Sequence, residues 1–328
     1  MGFGRRAFVL TVGGSLLVPW PLLAHGGDFT AFLARIRARA RALGIRETTL
    51  ARALEGLRPL PRVVALDRRQ PERRLTFGDY RRRVLSAERI ATGRLLLRRH
   101  RRLLARVEAR WGVPAAVLVA LWGIESAYGR VTGDHPVIAA LATLAFEGRR
   151  RALFERELLA ALAILDRERL APERLRGSWA GAMGQPQFMP TTYRRYAVDF
   201  DGDGRRDIWH SLPDVFASMA HYLRVAGWRP GWRWGREVAP VPAAAVAHAG
   251  LGNRLPLRRW QRLGLRRIDG GPLPAASIRA SLLLPDGPPA PAFLVYDNFR
   301  VLLRWNRSVH FAATVGLLAD AIARDREV

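Results

Sequence analysis

The chain has 328 residues, 49% hydrophobic and 25% charged, a globular composition that excludes a disordered chain. It has no cysteine, which excludes disulfides, thiol nucleophiles, cysteine-ligated zinc and a lipid-modified N-terminal cysteine. It also has no lysine, so all 54 basic residues are arginine; with 28 acidic residues the net charge is +26. Such a charge points to an anionic partner (nucleic acid, anionic lipid or an acidic polymer), unless GC-rich codon usage simply wrote arginine for lysine.

Residues 1–24 read as a signal peptide: Arg5 and Arg6, an apolar stretch from Ala7 to Leu23, then small or polar residues from Ala24. The stretch is short for a membrane span and carries Pro19 and Pro21, so no permanent span is expected. "RRAFVL" resembles a twin-arginine export signal, with Gly4 before the pair in place of Ser or Thr. The mature protein is expected in the periplasm.

From Asp28 to about residue 228 the apolar spacing is helical. Asp28 caps a helix carrying Phe29, Phe32, Leu33, Ile36 and Leu43, which ends at Gly44. Leu96, His100, Leu103, Leu104, Val107 and Trp111 form a second stripe, closed by Gly112, with His100 expected to be a packed residue. Pro114 opens a buried helix that ends near Glu125. Further helices are expected over residues 137–146, 150–170 and 214–225. From residue 229 Pro, Gly and Trp rise, and "SIRASLLLP" and "AFLVYDNFRVLLRW" read as strands. A helix returns over residues 310–324. The expected fold is α+β, mostly α: a helical domain (28–228), a small β-containing insertion (229–302), and a C-terminal segment (303–328) completing the first domain.

Glu125, in "LWGIESAYGR", follows the longest uncharged run of the mature chain. Apolar surroundings disfavour an ionised carboxyl, which suits a proton donor in glycoside cleavage. The plainer reading is a helix-terminal Glu paired with Arg130. "GSWAGAMGQPQFMPTTYRRYAVDFDGDGRRDIW", from Gly177, is too glycine-rich for helix and too apolar for disorder; it reads as a structured ligand-binding loop. Within it, Asp199, Asp201 and Asp203 hold positions 1, 3 and 5 of a calcium loop, with Gly204 at 6, the Arg205 carbonyl at 7 and His210 at 12 in place of Glu. An ion-free Asx-rich turn is the alternative.

These elements together resemble the membrane-bound lytic transglycosylase B family, the peptidoglycan-cleaving branch of the lysozyme-like superfamily. The resemblance spans nearly the whole mature chain: "QPE" at Gln70, "FGDYR" at Phe77, "GVPAAVLVALWGIESAYG", "PVIAALATLAFEGRRRALF", "GAMGQPQFMP" and "RWNRS". It implies Glu125 as the sole catalytic acid and base, and Ser178 and Gln187 as loop residues contacting the sugars. It implies Tyr80, Arg150, Arg151 and Tyr222 as cleft residues for glycan and peptide, with Asn306 a cleft asparagine. Trp305 and Phe311 stand where tyrosines are usual, which keeps the rings and loses the hydroxyls. Asp214 is implied as the residue completing a structural calcium site. One carboxylate suffices for a lytic transglycosylase, whereas hydrolases need pairs about 5–5.5 or 6.5–9.5 Å apart. The expected partner is the peptidoglycan glycan strand, with a cell-wall synthesis or division complex left open, and the protein is expected to be a monomer without organic cofactor. A non-catalytic wall-binding protein of the same fold is the second reading. Nucleic-acid binding rests on charge alone, against an export signal and without a groove-reading motif.

Overall fold

The computed structural model describes residues 28–68 and 75–324. The expected signal peptide and the "QPE" at Gln70 lie outside the described residues. The chain begins with α1 (Phe29–Ala42), α2 (Glu47–Leu54), α3 (Pro61–Arg68), α4 (Phe77–Val84), α5 (Ala87–Arg99), α6 (Arg101–Trp111) and α7 (Ala115–Ser126). Strand β1 (His135–Pro136) precedes α8 (Val137–Glu147) and α9 (Arg151–Arg167), and β2 (Arg176–Gly177) precedes α10 (Pro190–Tyr196) and α11 (Leu212–Val225). Then come β3 (Gly235–Val238), α12 (Ala243–Val246), β4 (Leu255–Pro256), α13 (Leu257–Arg262), β5 (Arg279–Leu283) and β6 (Ala292–Val295). Helices α14 (Asp297–Trp305) and α15 (Val309–Ala323) close the chain. The fold class is the expected one, mostly helical, with two small antiparallel sheets among the described residues. Among the described residues no single helix is long and apolar enough to cross a membrane.

Two compact units divide these residues: 28–68 with 125–218, and 75–124 with 219–324. The division falls elsewhere than at the expected boundaries near 228 and 302. The strand-bearing segment shares a unit with α4 because Asp286 accepts from the Phe77 and Gly78 amides at 2.6 and 3.0 Å. The Phe77 ring also meets Phe293 edge-on at 5.6 Å.

In the unit that contains Glu125, α8 and α9 supply the core. Every residue from Val137 to Ala145 is buried, as are Phe154, Leu158, Leu162 and Leu165. Burying each such large apolar side chain contributes about 1.5–3 kcal/mol before the entropy of ordering it. Helix α1 starts as its sequence dictates: the Asp28 carboxylate accepts from the Thr30 amide at 2.7 Å, satisfying one of the four free N–H groups. Phe29 and Phe32 then pack on Phe146 at 5.1 and 5.7 Å.

In the other unit the stripe from Leu96 to Trp111 is two helices, not one. The break falls at His100 (φ −103°, ψ 19°), whose ring meets Trp122 edge-on at 6.3 Å. Gly112 ends α6 in the left-handed region, φ 67°, where a Cβ would also lie 2.5 Å from Pro230. The four-stranded sheet runs β3-β6-β5-β4, and covers a core of its own built on Trp260, Leu257, Leu265, Leu282 and Leu294. "AFLVYDNFRVLLRW" is a strand only to Val295. Asp297 then starts α14, whose Val301, Leu302 and Trp305 recur at helical spacing and are buried.

Candidate active site

Glu125 stands in the last turn of α7, half-buried, after the buried run Val117 to Ile124. That helix is fixed at its start, where the Glu108 carboxylate accepts from the Ala115 amide at 2.9 Å and the Pro114 carbonyl from the Val117 amide at 2.9 Å. Immediately after Ser126 the chain reverses through three consecutive left-handed residues, Ala127, Tyr128 and Gly129, with φ of 49°, 61° and 82°. Two of the three carry a Cβ, and non-glycine residues there cost roughly 1–2 kcal/mol each. Buried Ser126 holds the reversal together, its hydroxyl accepting from the Gly129 amide at 3.1 Å and its carbonyl from the Val131 amide at 2.9 Å. Arg130 turns back onto the Ala127 carbonyl at 3.1 Å.

The Gly-rich loop lies in the same unit. Its base is the pairing of Gly177 with His135, and its middle is closed by reciprocal amide bonds between Met183 and Phe188 at 2.8 and 3.0 Å. The Ser178 hydroxyl accepts from the Ala182 amide at 3.0 Å, so this predicted sugar contact also shapes the loop. Gly184 (φ 64°) sits where a Cβ would lie 2.7 Å from the Ile208 carbonyl oxygen, a close approach no other residue permits. Gln187 has φ 53°, and its Nε2 donates to both the Thr132 and Gly184 carbonyls at 2.9 and 2.8 Å. Both amide hydrogens are thereby spent, and the Gln187 carbonyl oxygen is the end that can accept from a ligand.

Arg150 is held by the buried Asp67 carboxylate at 2.5 Å and lies 4.7 Å from the Phe154 ring centre. Arg149 shares the same carboxylate at 2.8 Å, while Arg151 begins α9 at the surface. The remaining expected glycan residues belong to the other unit. Tyr80 is half-buried on α4, 6.0 Å from the His310 ring. The Tyr222 hydroxyl donates to the Arg304 carbonyl at 2.7 Å, and its ring meets Trp305 edge-on at 4.9 Å. Trp305 and Phe311 are each 3% exposed and Asn306 7%, so in this structure both rings are packing groups. The Asn306 side chain accepts from the Ser308 amide at 3.0 Å at the start of α15.

The aspartates of the expected metal loop converge: ligand oxygens of Asp199, Asp201 and Asp203 all lie within 4.8 Å of one another. Three carboxylates so close repel, and hard oxygen donors in that number suit calcium. Asp214 plays a different part. Fully buried, it accepts from the Phe200 and Asp207 amides at 2.7 and 2.8 Å, clamping the two ends of the loop, and stands outside the three-oxygen cluster. Burial pushes its pKa up to about 6, the two amides pull the other way, and the charges of Asp201 and Asp199 add to the rise. Arg205, expected to offer its carbonyl, donates its amide to Asp203 at 2.8 Å.

Two residues escaped the sequence reading. Gln185 is 8% exposed and ties the loop to the Trp209 carbonyl at 2.8 Å. Glu157, 2% exposed on α9, accepts from the Thr191 amide and hydroxyl, both at 2.9 Å, and so fixes the start of α10 just after Gln187. Little in the sequence singles out Glu157, which follows Glu155 and Arg156 just ahead of the apolar run 158–165; only its spacing from Phe154 and Ala161 puts it on the apolar face.

A helical protein with an acid at the end of a buried helix and a Gly-rich loop in the same unit belongs to the lysozyme-like class. More narrowly, residues 28–320 match the transglycosylase SLT domain model, and the chain belongs to that family. It is 33% identical over 261 residues to membrane-bound lytic murein transglycosylase B of Escherichia coli, covering 75% of this chain and 67% of that protein. Its structure resembles SltB3 of Pseudomonas aeruginosa in complex with NAG-anhNAM-pentapeptide, with a TM-score of 0.88 and 46% identity over 91% of this chain and 80% of that one. It also resembles the Escherichia coli lytic transglycosylase Slt35 in complex with calcium, with a TM-score of 0.77 and 30% identity over 91% of this chain and 95% of that one.

Proposed function

We propose that the protein cleaves peptidoglycan as a lytic transglycosylase in which Glu125 is both acid and base. The observation that carries the assignment is the placement of Glu125, half-buried between the buried α7 run and a strained reverse turn, in a chain of this family. Protonated Glu125 donates to the oxygen joining N-acetylmuramic acid to N-acetylglucosamine, and that bond breaks at the muramoyl C1. The resulting carboxylate takes the proton of the muramoyl C6 hydroxyl as its oxygen closes on C1. Glu125 is returned to its protonated state, no water is consumed, and the new end is a 1,6-anhydromuramoyl ring. The Gln187 carbonyl oxygen accepts from an N–H or O–H of the bound sugar, and Arg151 attracts the carboxylates of the stem peptide.

The aspartate loop holds a structural calcium ion through Asp199, Asp201, Asp203 and the Arg205 carbonyl, with Asp214 keeping the loop closed behind them. The ion steadies the loop, with no part in bond breaking. The glycan strand is the partner, and the site of action lies outside the cytoplasm, in the periplasm. Mass spectrometry of digested peptidoglycan tests the reading: anhydro ends are expected, lighter by one water than reducing ends. Reducing ends would make water the nucleophile and overturn the mechanism.

A further inference from the structure

Away from Glu125 and the Gly-rich loop, the same unit carries a cavity of about 180 Å³ between the start of α2 and the turn that follows α9. Its walls present three guanidinium groups, Arg46, Arg52 and Arg169, with the hydroxyls of Thr48 and Thr49. Leu165, Leu170 and Pro172 supply the apolar part of the lining. Three acids of the adjoining segments are already engaged. Asp166 takes Arg46 at 2.9 Å and the Thr49 hydroxyl at 2.6 Å, Glu47 takes Arg41 at 2.7 Å and also Arg37, and Glu168 pairs with Arg206. Arg52 and Arg169 have no carboxylate partner among the described residues. The lining itself holds no acid, so with Arg46 paired to Asp166 the pocket keeps the charges of Arg52 and Arg169. Arg46 is also rigid, since a second nitrogen donates to the Asp166 carbonyl at 2.7 Å.

Arg169 adds a second argument. It lies just past the end of α9 with φ 50°, the position and conformation that favour glycine. The Leu170 amide reaches back to the Leu165 carbonyl at 3.1 Å, which fixes this turn. Arg169 thus stands where glycine would be easier, and it lines the cavity.

We infer that this pocket binds an oxyanion, a carboxylate or phosphate, carried on a short apolar body. The guanidinium groups of Arg52 and Arg169 and the Thr48 hydroxyl match the oxygens, and Leu165 and Pro172 match the body. The volume, about six times the roughly 30 Å³ a water occupies in the liquid, admits an anionic group with one or two residues attached. The inference does not depend on the role given to Glu125.

The test is titration calorimetry on the full chain at about 50 mM salt, where the Debye length exceeds its roughly 10 Å at 0.1 M. Three probes separate the sources: inorganic phosphate, acetyl-Ala-Ala with a free carboxylate, and its amide. Saturable binding of phosphate or the free dipeptide is expected, with the amide bound at least tenfold more weakly than the dipeptide if the dipeptide binds. R52Q/R169Q should lose tenfold or more, while R258Q/R262Q, the same charge change on exposed positions of α13, should lose less than threefold. R52Q/R169Q should also keep the wild-type circular-dichroism spectrum and melting transition, which shows that it folds. Equal losses in the two double variants, equal binding of dipeptide and amide without phosphate binding, or no saturable binding of any anion would overturn the inference.

Discussion

The Gln187 side-chain nitrogen donates to the Thr132 carbonyl at 2.9 Å, joining the Gly-rich loop to the chain seven positions after Glu125. A second bond to the Gly184 carbonyl makes the amide a bridge within the unit that carries the acid. Gln187→Leu removes both donors and leaves two carbonyls unpaired, which should cost about 1–3 kcal/mol. Displacing the loop by an ångström should lower kcat/KM about 10²-fold. Thermal melts and soluble-glycan kinetics check this. Unchanged kinetics in a destabilised variant would limit Gln187 to a structural part.

Glu125→Gln preserves shape and removes the proton. Cleavage should fall by at least 10²–10⁴-fold while binding to insoluble peptidoglycan persists. Release of soluble muropeptides and a sedimentation assay measure the two. Turnover within tenfold of wild type would remove Glu125 from the mechanism.

Calcium should raise the melting temperature, since a ligand at a hundredfold excess over its Kd stabilises by about 2.7 kcal/mol. For about 300 folded residues, at roughly 2.1 cal/mol/K of unfolding entropy each, that is about 4 °C. Asp201→Ala, which removes one of the three clustered carboxylates, should abolish the response. Melting curves that coincide in calcium and in chelator would count against an ion there.

His310 lies between Phe77 and Tyr80 at 5.6 and 6.0 Å, and burial lowers its pKa from the ordinary 6.5, with Asp286 opposing the shift. The folded state therefore holds fewer protons on this ring than the unfolded state does. Stability on its account is intact above about 6.5 and is lost as pH falls from there through the depressed folded value. His100 and His135 are lowered chiefly by burial as well, and act in the same direction. Melts between pH 7.5 and 5 should show a fall that His310→Gln makes shallower. An equally steep fall in the variant would exclude His310 as a contributor.

Much of this was legible because local signals agreed with the packing. Asp28 caps as its type and place suggest, Gly112 stops α6, and the uncharged run before Glu125 is buried on all sides. The aspartate spacing brought three carboxylates together, as an alternating loop must. What was not legible came from tertiary contacts or from ambiguous pattern. No Gly or Pro marks the break at His100, where ring packing on Trp122 accompanies a change of direction. In "AFLVYDNFRVLLRW" the apolar run suits strand and helix alike, and Asp297, an acid in a helix's first turn, was the overlooked sign. Asp214 matched the family as a ligand, yet it stands outside the cluster of three carboxylates and accepts from two backbone amides, contacts that the sequence does not show.

The reverse turn behind Glu125 sets stability against precision. Ala127 and Tyr128 hold left-handed backbone that glycine would adopt without penalty. Replacing Ala127 by glycine relieves a local cost and also frees the chain on one side of the acid. A search for more heat-resistant forms of this protein should find that exchange readily, and should find it among the poorer catalysts.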